Sequence, residues 1–392
     1  MKLPLLFSKP ARGTAAYIRR EYLLYDRFDT ALAAGSVNGT QAEPIGGART
    51  VVDTNSKISI AGGVAVFATG GASNSGIWWP AQARVAGKTI VHYVVPSATT
   101  NQISCGTSLA QSAIITNRFS FTNAGAIGTG GVITGAYTAT PYNIALVMRV
   151  TGMFYFVKGG AFTNWTLLWI SPTTETSQYP GVQYNGTSTA FTTDNPRVPK
   201  QFYIPTPLQS DGMSATATDG QNGYENNGPV GNAYTDVGTW GVSGGVRSCS
   251  VLGGGGAGFS VLSTNTRNVF IEANLTRSAG RVGIVARYQD SSNYIHCSHD
   301  GTNVLVIQVV AGTPTTLSTT AVAYSAGAKM VFIADGTTYR AFYNNTAGGS
   351  GNLPDTSATS HGLITNNTGN TFDNLVIWPR GNEGQYEGLS LL

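Results

Sequence analysis

The strongest constraint on this chain is how its apolar residues are punctuated. From Tyr25 onward, short runs of β-branched and aromatic residues recur about every 8–15 residues, divided by Gly, Asn, Asp, Ser and Thr. A helical period is almost absent. Spacing of this kind is the mark of a β-sandwich or barrel. Glycine supplies 50 of 392 residues and charged residues only 11%, against usual shares of ~7% and ~25%. Disordered chains are poor in apolar residues; at 41% hydrophobic this one can bury a sizeable core.

Three hairpins anchor the reading. Asp300-Gly301 divides NYIHCSHDGTNVLVIQVV (293–310), and Asp335-Gly336 divides KMVFIADGTTYRAFY (329–343). A tight hairpin turn needs positive φ, which Gly accepts freely and Asp tolerates. Thr151-Gly152 plays the same part in IALVMRVTGMFYFV (144–157). Gly152 and Gly336 lie about 184 residues apart, and two further matches keep a similar offset: KTIVHYVV (88–95) with NVFIEANL (268–275), and TTDNPRVP (192–199) with TFDNLVIWP (371–379). Common order at a common offset is the sign of a duplication. The chain therefore reads as all-β: an N-terminal arm (1–25), two tandem antiparallel sandwiches (26–205 and 206–380) and a C-terminal tail (381–392). The boundary falls near Gln201–Pro207, where Pro205 and Pro207 interrupt strand pairing.

The arm differs in character. It is basic, and Tyr17, Ile18, Tyr22, Leu23 and Leu24 suggest a short amphipathic helix from about Ala15 to Leu24. Its apolar stretch, Leu3 to Phe7, is broken by Pro4 and shorter than a signal peptide's ~7-residue minimum. A net charge of +4 is too small for a nucleic-acid footprint, and no apolar run approaches the ~18 residues of a membrane-spanning helix. Three cysteines, Cys105, Cys249 and Cys297, cannot close a disulfide framework and are expected as small buried hydrophobes.

The segments AYTDVGTWGVSGG (233–245), GRVGIVARYQDSSNYIHC (280–297), the 329–343 hairpin and FDNLVIW (372–378) resemble the concanavalin A-like or laminin-G-like jelly rolls. Gly283-x3-Arg287-x2-Asp290-x2-Asn293-Tyr294 carries most of that resemblance. The first half is similar more loosely, through DRFDTALAAGSVNGT (26–40) and FYFVKGGAFTNWTLLW (154–169). A short arm before two Gly/Thr-rich sandwiches is also similar to bacteriophage tail and other virion proteins. The resemblance implies lectin-like jelly rolls projecting from a particle, and a non-enzymatic structural role in the virion. Arg12, Tyr17, Arg19, Arg20 and Tyr22 would then anchor the arm to other virion proteins. Homo-oligomers, trimers by default, and contact with host or surface glycans are the expected partnerships. The tail 381–392 is a second candidate for docking on a neighbour.

The residues themselves offer little catalytic chemistry. Glycoside hydrolysis needs two carboxyl groups across the scissile bond. No Glu before residue 383 has a carboxylate two or four positions away, which leaves only unselected pairs such as Glu272 with Asp290. His296, Cys297, His299 and Asp300 are rich in donors, but on a strand His296 and His299 face opposite ways and cannot share a metal, one being exposed and the other packed. No metal or other cofactor is expected, apart from calcium as the one cation the loops near Asp290, Asn293 and Asp300 would suit. Aromatic rings that could stack on sugars are Trp78, Trp79, Trp165, Trp169, Tyr179 and Tyr184. Adjacent Trp78 and Trp79 would face opposite ways, while Trp165 and Trp169, four apart, would share a face.

Overall fold

The computed structural model describes residues 21–392 apart from 83–88, 100–102, 109–114, 116, 123, 130–131, 150–151, 172–178, 185–188, 201–202, 204, 212, 214–233 and 355. Two compact units result: the residues up to Pro205 together with Gly381–Leu392, and Thr206–Arg380. Each is a two-layer antiparallel β structure. Apart from Glu21, which is helical, the helical turns among the described residues are the 3₁₀ segments Pro80–Gln82 and Glu387–Leu391.

In the first unit one sheet runs Phe162–Ser171, Gly152–Gly159, Tyr142–Arg149, Thr89–Pro96, Phe191–Pro199, Tyr22–Asp26 and Pro44–Ile45. The facing sheet runs Val132–Ala136, Ala126–Thr129, Asn117–Phe121, Ile103–Ser108, Tyr179–Tyr184, Gly76–Trp78 and Thr50–Val52. In the second unit one sheet runs Thr239–Ser243, Val246–Val251, Thr371–Pro379, Val269–Thr276, Ala328–Asp335, Thr338–Tyr343 and Thr346–Asn352. Its partner runs Thr235–Val237, Gly258–Ser263, Ser360–Thr365, Val282–Asp290, Asn293–His299, Asn303–Val310 and Thr313–Ala321. The facing sheets of the two units follow one strand order, and in the other sheet Thr89–Pro96 and Phe191–Pro199 occupy the places of Val269–Thr276 and Thr371–Pro379, the chain order differing only in the last two strands beyond them. The duplication seen in the sequence is a duplication of topology.

Patterning explains where each strand sits. Val269–Thr276 is central, flanked on both sides, and reads as an almost unbroken buried run. Asn303–Val310 lies one strand from the edge and largely alternates buried with half-buried residues. The edge strand Thr313–Ala321 (TPTTLSTTA) is largely exposed, and Pro314 together with its polar side chains discourages pairing with another chain. Between the sheets of the second unit, Trp240, Leu262, Ile271, Ile284, Phe332 and Leu363 form one core with Cys249 and Cys297. All three cysteines are buried and unbridged.

Two sequence expectations fail here. Glu21 is helical, but Tyr22–Asp26 is a strand, paired with Phe191–Pro199 and Pro44–Ile45, where the helix was expected to run on to Leu24. Leu24 is wholly buried there, so tertiary pairing overrides a weak local helical pattern. Tyr22 accordingly belongs to the first unit, its ring 4.9 Å from that of Tyr25, while Arg12, Tyr17, Arg19 and Arg20 fall outside the described residues. The tail is not offered to a neighbour either. Tyr386, Leu389 and Leu392 are buried in the first unit.

Candidate functional site

The site is built on the strand Asn293–His299. Its residues Ile295 and Cys297 enter the core, so Tyr294, His296 and Ser298 all face outward. The strand is positioned by the turn before it. Arg287 sits at φ +50° where the register shifts between Ala286 and Asp290, a bulge that turns its side chain inward. Its guanidinium donates to the carbonyls of Arg267 (3.3 Å), Pro354 (3.0 Å) and Gly336 (2.6 Å). Asp290 then accepts from Ser292 N–H at 2.7 Å and from the Asn293 amide at 3.0 Å, which closes the turn and launches Tyr294.

Two glycines hollow the same outer face. Gly283 lies opposite Ser298 and Ile364, and Gly362 opposite Val261 and Val285. A Cβ at Gly283 would stand 2.1 Å from the Cys297 carbonyl oxygen, and one at Gly362 2.0 Å from that of Ser260. Beside the hollow, Phe259 packs edge-on against Tyr294 at 4.8 Å and tilted against Tyr288 at 5.1 Å, over Val285 and Ile364. The outcome is a cleft of about 160 Å³ lined by Gly256, Arg281, Tyr294, His296, Ser298 and Asn366, among others. Asn366 is held at its rim by accepting the Arg281 backbone N–H.

The cleft's floor is polar and neutral at His296 and Ser298, and Arg281 adds one positive charge to the lining. Burial, helped by the nearby Arg281 charge, pushes the His296 imidazole down to about 3, so it is neutral at physiological pH. Its Nδ1 and the Ser298 hydroxyl are both buried and meet no hydrogen-bonding partner among the described residues. Burial also raises the Tyr288 and Tyr294 phenols, which therefore stay protonated. Flat rings beside unspent neutral donors and acceptors suit a ligand made of C–H faces and hydroxyl groups.

No family model matches the chain. No curated protein matches it either. Among solved structures, a carbohydrate-binding module from Bacillus subtilis aligns at 13% identity and TM-score 0.28, covering 45% of this chain and 99% of its own. A GlcNAcα1-4Gal-releasing endo-β-galactosidase from Clostridium perfringens aligns at 10% and 0.32, covering 91% and 98%. Domains LG4-5 of the mouse laminin α1 chain align at 9% and 0.22, covering 75% and 82%. Scores of this size say nothing about what this chain binds, which has to come from the cleft.

The aromatic residues singled out in the sequence lie elsewhere, and burial removes most of them as sugar platforms. Trp78 and Trp79 are both fully buried, where one was expected outside the core. The strand ends at Trp78, so strict alternation no longer applies to Trp79. Trp78 donates to the Ser108 hydroxyl at 3.0 Å and Trp79 to Asp26 at 2.9 Å. Trp165 and Trp169 do not share a face. Tyr155 pairs with Trp169 but Phe156 with Leu167, so the extra residue Leu168 reverses the alternation. Trp165 donates to the Ser390 hydroxyl at 2.9 Å in the tail, and Tyr155, beside Trp169, meets Phe119 of the facing sheet at 5.4 Å. Tyr179 and Tyr184 belong to a central strand. Tyr184 is fully buried against Phe67 and Phe191, and Tyr179 is half-buried.

The titratable candidates other than His296 are likewise committed. His296 and His299 do face opposite ways, but neither is exposed. His299 lies between the sheets, 4.5 Å from Tyr343, accepting from Gly301 N–H and facing the Val322 carbonyl. Asp300 caps its own turn through Thr302 and Asn303 N–H, as Asp290 does, so the oxygens considered for calcium serve the backbone. No cluster of three or more metal-ligating side chains occurs among the described residues. Glu272 and Asp290 belong to different sheets, and Glu272 is paired with Lys329 at 2.7 Å.

Proposed function

We propose that this chain is a glycan-binding protein, and that the outer face of residues 206–380 holds a neutral sugar against Tyr294. The observation that carries this reading is the pairing of that ring with two buried, unsatisfied neutral groups, His296 Nδ1 and the Ser298 hydroxyl. An unpartnered buried polar group costs about 1–3 kcal/mol, a cost a sugar hydroxyl would relieve on binding. No carboxylate lines the cleft, so it supports capture of a saccharide rather than acid–base hydrolysis at this place.

The test is binding of the full chain to a glycan array, followed by calorimetry on the best ligand. Tyr294→Ala should lower affinity at least tenfold, equivalent to about 1.4 kcal/mol, and Ser298→Ala by a smaller factor. Trp78→Phe, buried in the other unit, should leave affinity unchanged. An array without a single binder, or a Tyr294→Ala protein that binds as tightly as the parent, would overturn the reading.

A further inference from the structure

A second cleft lies on the opposite sheet of the same unit and has a different chemistry. It measures about 230 Å³, and its lining includes Asp335, Thr338, Arg340, Ser350, Asn352 and Arg380. The hairpin Ala328–Asp335/Thr338–Tyr343 builds it. Phe332, Ala334, Tyr339 and Ala341 fill the core, which turns Asp335, Thr338 and Arg340 outward. Ser350 and Asn352 of the edge strand stand directly opposite Arg340 and Thr338.

Its charges do not balance. Arg380, only 2% exposed, gives its Nε to Asp335 at 3.0 Å, and its Nη1 is buried without an acceptor. Arg340 comes from the neighbouring strand and forms no ion pair among the described residues. Two guanidinium groups and one carboxylate leave a surplus of one positive charge. The cluster feels that surplus: burial, and then the like charge of Arg380, bring Arg340 down to about 10. An unfilled Arg fork is a carboxylate or sulfate receptor, because its parallel N–H groups match two oxygens of one anion. The neutral Thr338, Ser350 and Asn352 would serve the hydroxyl groups of whatever carries that anion.

We propose that Arg340 and Arg380 form an anion-binding subsite for an acidic saccharide, one sugar residue carrying a carboxylate or sulfate. The cleft is smaller than the ~300 Å³ at which drug-sized pockets begin, which limits the occupant to about one residue. The subsite is independent of the Tyr294 cleft and stands or falls separately.

The experiment is calorimetry or saturation-transfer NMR on the full chain with glucuronic acid, glucose 6-sulfate, inorganic sulfate and glucose. Binding of one acidic sugar over glucose is expected, weakening as salt rises. Arg340→Gln should reduce it at least tenfold, Arg340→Lys by less, and Tyr294→Ala not at all. The preferred sugar separates carboxylate from sulfate, and competition by inorganic sulfate shows how far the anion alone suffices. Equal binding of glucose and the acidic sugars, no binding of either acidic sugar, or acidic-sugar binding that survives Arg340→Gln would sink the proposal.

Discussion

At the scale of single residues, this molecule places a few of its charges inside. Asp26 is fully buried and accepts from Arg49 Nε and Nη2 at 2.7 and 2.6 Å and from the Trp79 indole at 2.9 Å. It also accepts the backbone N–H groups of Phe28 and Glu43, each at 3.2 Å. Removing one partner of such a pair strands the other charge in the interior, which costs about 3–5 kcal/mol. Asp26→Ala should therefore destabilise the first unit by roughly that amount, read as a lowered denaturation midpoint, with the second unit's transition unmoved. A loss under about 1 kcal/mol would mean that the pair is no better than a surface contact. None of this was legible in the sequence, where DRFDT looks like a polar turn. Nothing local tells Asp26 that Arg49 and Trp79 will fold against it.

At the scale of elements, the turns were the legible part. Both Asp-Gly pairs sit at hairpin tips, because turn chemistry is local. The parity of NYIHCSH was legible too, and it alone puts Tyr294, His296 and Ser298 on one face. What concealed the site was its other half, the hollow at Gly283 and Gly362, which exists only once four strands are side by side. Bulges were equally hidden, and the one at Leu168 sent two tryptophans to opposite faces. The tail is the clearest non-local element. Glu387 accepts from Trp165 N–H at 3.0 Å and from Lys158 at 2.5 Å. Burial works against its charge, but these partners hold its carboxyl below the usual range. Tyr386 packs edge-on against Phe156 at 4.8 Å. Each buried large apolar side chain contributes about 1.5–3 kcal/mol. Deleting 382–392, with Tyr386, Leu389 and Leu392, should cost the first unit on the order of 4 kcal/mol or more. Calorimetry should show that unit alone melting earlier, whereas Glu387→Gln, which breaks a pair open to solvent, should move it far less.

At the scale of the whole molecule, the two units share most of a strand order but differ in how they meet acid. The second unit buries three neutral imidazoles. His361 accepts from Arg287 N–H at 3.1 Å and faces the Thr266 carbonyl at 2.9 Å, and burial, with the Arg287 charge, takes it down to about 4. His296 lies at about 3 beside Arg281. His299, between Asp300 and Arg277, is lowered as well, chiefly by burial. The first unit has one such group, His92, at about 3 near Arg197. An unfolded histidine gains its proton near pH 6.5 while these folded ones do not. Stability is therefore full above about pH 6.5 and falls below it, by at most ~1.4 kcal/mol per pH unit for each imidazole. Asp290 and Asp300, lowered by their turns, add to the loss only below about pH 4.5. Between pH 6.5 and 4.5 the second unit should lose stability more steeply than the first, measured as separate urea midpoints. Parallel slopes would contradict that assignment. The virion placement read from the sequence is not tested at this scale: Arg12, Tyr17, Arg19 and Arg20 lie outside the described residues, and Tyr22 belongs to a sheet.

The return of Gly381–Leu392 to the first unit also sets an order of events at the ribosome. The seat for Tyr386, Leu389 and Leu392 is made from residues translated early, yet its occupant emerges only after the whole of 206–380. Nascent chains must therefore wait with Phe156 and Trp165 incompletely covered, and a prematurely terminated product would keep that greasy surface as an invitation to chaperones and proteases.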